Sequence, residues 1–180
     1  DAIPALLILL LIGALAGTWL ISGVVPAMIY YGLQMVNPTY FLIASCIVSA
    51  IIALATGSSW STVATIGVAL LGIGKAIGIS EAMVAGSIIS GAYFGDKMSP
   101  LSDTTNLAPA MAGTDLFTHI RYMMYTTIPT FIITLIIFLI LGLTTESQSN
   151  ADDINLILTS IKSKFIISPW LFLIPLAVLI

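Results

Sequence analysis

The chain is 180 residues long, 59% hydrophobic and only 7% charged, with a formal net charge of −3. A soluble domain carries roughly 25% charged residues, so this composition excludes a water-soluble globule. Five Lys and Arg against eight Asp and Glu leave no basic footprint for nucleic acid.

Several apolar stretches approach the ~20 residues that cross a bilayer as a helix. Residues 5–15 and 132–143 run apolar without the alternation of barrel strands. The expected fold class is therefore all-α: a polytopic helical membrane protein with discontinuous (broken) transmembrane helices. The chain opens at Asp1 and stops inside an apolar segment that begins at Trp170, so it reads as a piece of a longer protein. The first apolar run is too long for a signal peptide and lacks a basic n-region. Cys46, the single cysteine, has no intrachain partner and reads as a small buried hydrophobe.

Residues 3–25 predict a first spanning helix, in which Gly13 and Gly17 let a neighbour come close. Pro26 is expected to end it, followed by a loop containing Gly32, Asn37 and Pro38. The apolar run 40–55 enters "TGSSWST" (56–62), and a second run, 63–73, ends at Gly74 and Lys75. About a dozen helical residues span under ~20 Å, too short to cross alone. Gly57 and the hydroxyls after it predict a helix break inside the membrane.

The pattern repeats. Ser80 is placed to cap a helix with Glu81 in its first turn. Residues 82–94 again fall short of a crossing, stop at Gly95, pass through "GDKMSPLSDTTN" (95–106) and resume at 107–112. Asp115 opens a long helix to about Leu143, and "TTESQSN" is a polar linker. Within 152–165, Ile154, Ile157, Leu158, Ile161 and Phe165 share one helical face. Aspartates at its start and Lys162 and Lys164 at its end suit the dipole of a helix lying in the membrane interface. Ser168 and Pro169 open a further helix. The expected organisation is a helical repeat over 1–143 with breaks near 56–62 and 95–106, a linker and interfacial helix over 144–168, and the start of another transmembrane helix over 169–180. If 81–113 crosses the membrane, Lys75, Lys162 and Lys164 share one side, which the positive-inside rule makes cytoplasmic. A re-entrant path would put them on opposite sides, and the crossing is preferred.

Non-helical backbone at membrane depth is tolerated only where protein buries it or water lines it. Two successive breaks therefore point to a shared cavity, as in secondary transporters that bind cargo between half-helices. Asp96 and Asp103 fit such a cavity, because an intramembrane carboxylate marks an ion path or proton relay. Ser99, Ser102, Thr104, Thr105 and Asn106 add the oxygen ligands that hard cations require. Burial raises a carboxylate's pKa and a bound cation lowers it, so one Asp can hold a proton or a metal ion but not both. That competition is minimal machinery for cation/proton exchange. Lys97 could pair with an aspartate when the cation is absent. Ser58, Ser59 and Ser61, with Thr62, are further candidate ligands, and Trp60 among them reads equally as an interfacial anchor. His119 reads as a structural residue near a helix end, with a proton-relay or pH-sensing role as the alternative; Arg121 reads as an interfacial charge that could pair with Asp115, and Glu81 as a helix-terminus charge.

The stretches "ATGSSWSTVATIGVALLGIG" and "GAYFGDKMSPLSDTTNLAPAMAGTDLFTHIRYM" resemble the NhaC-type Na⁺/H⁺ antiporter family, within the wider ion transporter superfamily. The resemblance runs at least from Ala53 to Leu143. It implies exchange of Na⁺ or Li⁺ for protons across a prokaryotic plasma membrane. It also implies an inverted-repeat architecture of which this chain holds about one half. Carried over with the motif are Asp96, Lys97, Ser99, Asp103, Thr104, Thr105 and Asn106 as cation- and proton-binding residues, with Asp96 and Asp103 as the Na⁺ carboxylates and Ser58, Ser59 and Ser61 as additional ligands. No cofactor is implied beyond the transported ions. The implied partners are the lipid bilayer, Na⁺ or Li⁺, protons and, in the alternative below, malate or lactate; a homo-oligomer stays open.

The alternative is a Na⁺-coupled organic-acid antiporter, exchanging malate and protons for Na⁺ and lactate, with Lys97 or the start of the 62–73 half-helix facing the anion. A cation channel could use the same ligands. An intramembrane protease is disfavoured. Gly95–Asp96 lacks the preceding Gly of an aspartyl type, and Ser90–Gly91 lacks the Gly-x-Ser-Gly setting of a serine type. The chain is therefore not expected to be an enzyme.

Overall fold

A computed structural model describes residues 3–145, 151–174 and 177. Among them the structure is wholly helical. Most of the expected polar linker, and the end of the helix expected from Pro169, lie outside the described residues.

Helix α1 (Ile3–Ile21) bends by 68° into α2 (Val24–Met35) across Ser22 and Gly23. The sequence suggested that Pro26 ends the first helix, and the structure differs. Pro26 lies in the first turn of α2, where a missing N–H costs nothing, and Gly32 is inside that helix rather than in a loop. The chain then turns at Asn37, whose side chain accepts from Thr39 N at 3.0 Å. A 3₁₀ turn (Pro38–Tyr40) leads into α3 (Phe41–Thr56).

After the first interruption come α4 (Ser59–Thr62), a π-helical turn (Val63–Gly67) and α5 (Val68–Ala76). Helix α6 spans Glu81–Met98, α7 Asp103–Ala112 and α8 Leu116–Thr144. Ser80 occupies the cap position of α6 but makes no side-chain cap bond; its carbonyl starts the helix instead. Glu81 pairs with Lys75 at 2.8 Å, and its carboxylate holds the exposed ammonium above its ordinary pKa. Asp115 caps α8, accepting from Thr118 N at 3.0 Å, so its carboxylate is engaged there rather than with Arg121.

Among the described residues, two helical segments are long and apolar enough to cross a membrane, Pro38–Thr56 and Leu116–Thr144, and the bent α1–α2 pair would be a third. The core is the seam between α3 and α6. Cys46, Ala50 and Ala53 on α3 meet Ser87, Ile88, Gly91, Ala92 and Gly95 on α6, all buried. A methyl on Gly91 would collide with the Cys46 carbonyl, and one on Gly95 with the Ala50 carbonyl. Small residues thus let the two backbones touch, the packing mode that membrane helices favour. Across the same seam the Ser45 and Ser87 hydroxyls are 2.7 Å apart. Phe138 and Gly142 of α8 close one side, Gly142 packing on the Thr39 carbonyl.

Helix α9 (Ala151–Lys164) rests Ile154, Ile157 and Leu158 on this core, and Phe165 packs on Gly23. Those are residues of the face that the 3.6-residue period assigns as apolar.

Candidate functional site

The two interruptions meet. Helix α3 ends because Gly57 takes a left-handed conformation (φ 70°), after which Ser58 is extended. Ser58 then caps α4, its Oγ accepting from Ser61 N at 3.2 Å. Helix α6 ends four residues later than the sequence suggests. Gly95 is small to fit against Ala50, not to stop the helix, and the stop comes at Ser99. The residue before a proline is pushed out of the helical region, and Ser99, preceding Pro100, is extended (φ −79°, ψ 128°). Asp96 and Lys97 are consequently helical, in the last turn of α6. Asp103 opens α7 instead of lying in a loop.

Three contacts tie the breaks together. The Leu101 backbone lies against Gly57, where a Cβ would come within 2.6 Å of the Leu101 carbonyl carbon. Ser99 Oγ, fully buried, donates to Leu54 O at 2.8 Å and accepts from Leu101 N at 3.1 Å. The last four carbonyls of a helix lack intrahelical partners, so Ser99 satisfies one of those left by the end of α3. Finally, Ser59 Oγ donates to Asp96 Oδ2 at 2.9 Å.

Around Asp96 the hydroxyls are arranged in two tiers. Thr105 Oγ1, from α7, lies 3.2 Å from both the Asp96 and Lys97 carbonyls, satisfying the frayed end of α6. Thr62 Oγ1 donates to Ser58 O at 2.8 Å and Thr65 Oγ1 to Ser61 O at 2.6 Å, which stiffens α4 and the π turn. Further out, Asn106 Nδ2 donates to Pro100 O at 2.7 Å and Ser102 O at 2.8 Å, while the Ser102 and Thr104 hydroxyls are 3.0 Å apart. Asn106 thereby staples the loop between α6 and α7.

The structure sorts the candidate residues. Asp96 and Ser59 face one another; Ser99, Thr105 and Asn106 hold the surrounding backbone; Ser58 and Ser61 build the α4 cap. Asp103 is exposed at the start of α7, where a carboxylate suits the helix dipole. Its side chain makes no hydrogen bond among the described residues. Lys97 points elsewhere: consecutive helical residues diverge by about 100°, and its Nζ lies 5.6 Å over the Tyr93 ring. Trp60 is 69% exposed. No hydrogen bond or ion pair links His119 or Arg121 to Asp96 among the described residues.

Chemically, the cluster offers one carboxylate with neutral oxygens around it. No group of three or more His, Cys, Asp or Glu assembles among the described residues. A hard monovalent ion takes such oxygens. The sequence passed over Leu54, whose contribution is a backbone carbonyl. It also passed over Thr127 and weighed Ser90 only as a disfavoured protease nucleophile; the signal of each is a hydroxyl within an apolar run.

The residues 91–180 match the model of the Na⁺/H⁺ antiporter family. The chain is 47% identical over 178 residues to the Na⁺/H⁺ antiporter NhaC of Alkalihalophilus pseudofirmus, covering 99% of this chain and 38% of that protein. It is 44% identical over 174 residues to the malate-2H⁺/Na⁺-lactate antiporter of Bacillus subtilis, covering 96% and 37%. To the arginine/ornithine antiporter ArcD of Halobacterium salinarum it is 42% identical over 143 residues, covering 79% and 30%. It thus spans less than two-fifths of the length of these curated relatives. No solved structure matches it. On the family match and these identities, the chain is that of a membrane protein belonging to the Na⁺/H⁺ antiporter family.

Proposed function

We propose that the full-length protein is a multi-pass secondary transporter of the plasma membrane that exchanges Na⁺ or Li⁺ for protons, ion and proton competing at Asp96. The observation that carries this reading is the Ser59–Asp96 contact, which joins two broken helices at a half-buried carboxylate. NhaC relatives at 47% and 41% identity support the choice of cargo. Asp96 supplies the charge, Ser59 a hydroxyl ligand, and Ser99, Thr104, Thr105 and Asn106 the frame. Asp103 stands at the exposed margin, where it raises the local concentration of cations. The ions are cargo; the reading needs no cofactor and no enzymatic step.

A second reading, Na⁺-coupled organic-acid exchange, is favoured by one observation: Lys97 is turned away from Asp96 and forms no ion pair among the described residues. The relative named a malate-2H⁺/Na⁺-lactate antiporter is consistent with it.

The test is a Na⁺ pulse outside proteoliposomes that hold the full-length protein and a pH dye inside. Na⁺-dependent proton movement in wild type, lost in Asp96→Asn protein that still elutes as a single species, supports exchange. Wild type without such movement sinks simple exchange.

A further inference from the structure

We infer that the groove between α6 and α8 is a binding site for a small carboxylate, with Lys97 as the charge anchor and Ser90 and Thr127 as hydroxyl partners. This rests on the second reading above and assigns that reading its site.

The groove is an open cleft of about 460 Å³, a volume within the range of about 300–1,000 Å³ typical of small-molecule sites. Its apolar wall is the stacked pair Phe94 and Phe131, with ring centroids 3.8 Å apart and planes inclined by 12°. Lys97 and Tyr93 stand on its α6 wall. The Lys97 ammonium has no carboxylate partner among the described residues and rests over the Tyr93 ring at 5.6 Å, a contact that leaves its three donors unspent.

The hydroxyls lining the groove divide into two kinds. Thr130 and Thr134 donate to the carbonyls four residues back, at 2.7 and 2.9 Å, as hydroxyls in membrane helices commonly do. Ser90 and Thr127 are half-buried and make no hydrogen bond among the described residues. One ammonium and two unspent hydroxyls match a carboxylate that carries its own hydroxyl group. A phosphate would call for arginines or a helix N-terminus, and the groove has neither.

Asp96 and Lys97 are consecutive, so the groove and the oxygen cluster occupy different sides of one helical turn. A cation at Asp96 and a carboxylate at Lys97 would sit about 10 Å apart across a helix. At an effective dielectric near ~20 their attraction is worth roughly tenfold in affinity. Filling one site therefore strengthens the other, which gives the two cargoes a direct electrostatic coupling.

The test measures equilibrium binding of [¹⁴C]lactate to purified full-length protein at low and high Na⁺, alongside Na⁺-driven proton movement from the same preparation in liposomes. Wild type is expected to bind lactate roughly tenfold more tightly at high Na⁺. Lys97→Gln should weaken binding at least tenfold, Lys97→Arg should retain most of it, and Thr127→Val and Ser90→Ala should each weaken it several-fold. Unlabelled propionate, which lacks the hydroxyl, should compete less well than lactate. Wild type that drives protons but binds no lactate overturns the carboxylate site and leaves Na⁺/H⁺ exchange standing. Lactate binding that is unchanged in both Lys97→Gln and Thr127→Val overturns the groove while the organic-acid reading survives. If Lys97→Gln does not fold, the Thr127→Val and Ser90→Ala affinities decide, and wild-type values in both overturn the groove.

Discussion

Ser59 and Asp96 are 37 residues apart in sequence, on different broken helices, and the Ser59 hydroxyl donates to the Asp96 carboxylate at 2.9 Å. Each sits within one turn of a helix interruption: Ser59 opens α4 and Asp96 lies in the closing turn of α6. The contact exists because Gly57 lets α3 stop and Pro100 forces α6 to stop at the same place in the fold.

Ser59→Ala removes that donor and leaves the carboxylate. A hydrogen bond to a charged group contributes about 1.5–3 kcal/mol, so with Ser59 as a ligand the apparent Na⁺ affinity should fall by about ten- to a hundredfold while maximal exchange persists. Dye-based exchange measured over a range of Na⁺ checks this. An unchanged half-saturation concentration would remove Ser59 from the site.

Asp96→Asn and Asp103→Asn should differ. Asp96 is half-buried and engaged, whereas Asp103 is exposed and makes no side-chain hydrogen bond among the described residues. Exchange should be lost in the first and reduced only a few-fold in the second, most visibly at low ionic strength where steering matters. Equal losses would mean that both carboxylates bind the ion.

The sequence made the first break legible through Gly57 with its serines, and the second through the polar stretch 95–106 between two short apolar runs. It also gave the apolar face of α9 through Ile154, Ile157 and Leu158. Gly95 misled, because a glycine that lets two backbones touch looks locally like one that ends a helix. Pro26 misled for a related reason: first-turn prolines and terminating prolines have the same neighbours. Neither the choice of Ser59 over Ser58 and Ser61 nor the divergence of Lys97 from Asp96 was readable. The first depends on how α4 is turned and the second on how α6 is rotated against α3, which local pattern does not encode.

The seam between those helices makes its own prediction. Gly91→Ala drives a methyl into the Cys46 carbonyl, whereas Gly86 on the same helix has open space around it. Overpacking costs about 1–3 kcal/mol, while Gly→Ala in an unobstructed helix gains up to about 1 kcal/mol. Thermal unfolding in detergent should therefore move down for Gly91→Ala and level or up for Gly86→Ala. Matching shifts would show that the seam is looser than the geometry describes.

Gly57→Ala combines two penalties, a left-handed backbone at φ 70° and a Cβ against Leu101. The first alone costs about 1–2 kcal/mol. The substitution should separate the two breaks, and both melting temperature and exchange rate should fall together. Wild-type exchange in a folded Gly57→Ala protein would show that the site tolerates their separation.

The backbone contacts at Gly91 and Gly95 bear on how such a molecule could expose one site to two sides of a membrane. Helices that touch carbonyl to Cα have no room to slide, so α3 and the body of α6 form a rigid plank. The lighter segments packed on it are α4 with its π turn, where Ser59 ties to Asp96 and Gly67 rests on Ile88, and α7 beyond Pro100, which Thr105 ties to the end of α6. Alternating access would then be a matter of unlatching half-helices from a fixed spine. The Ser59–Asp96 bond is such a latch, and an arriving cation would compete for the same carboxylate oxygen.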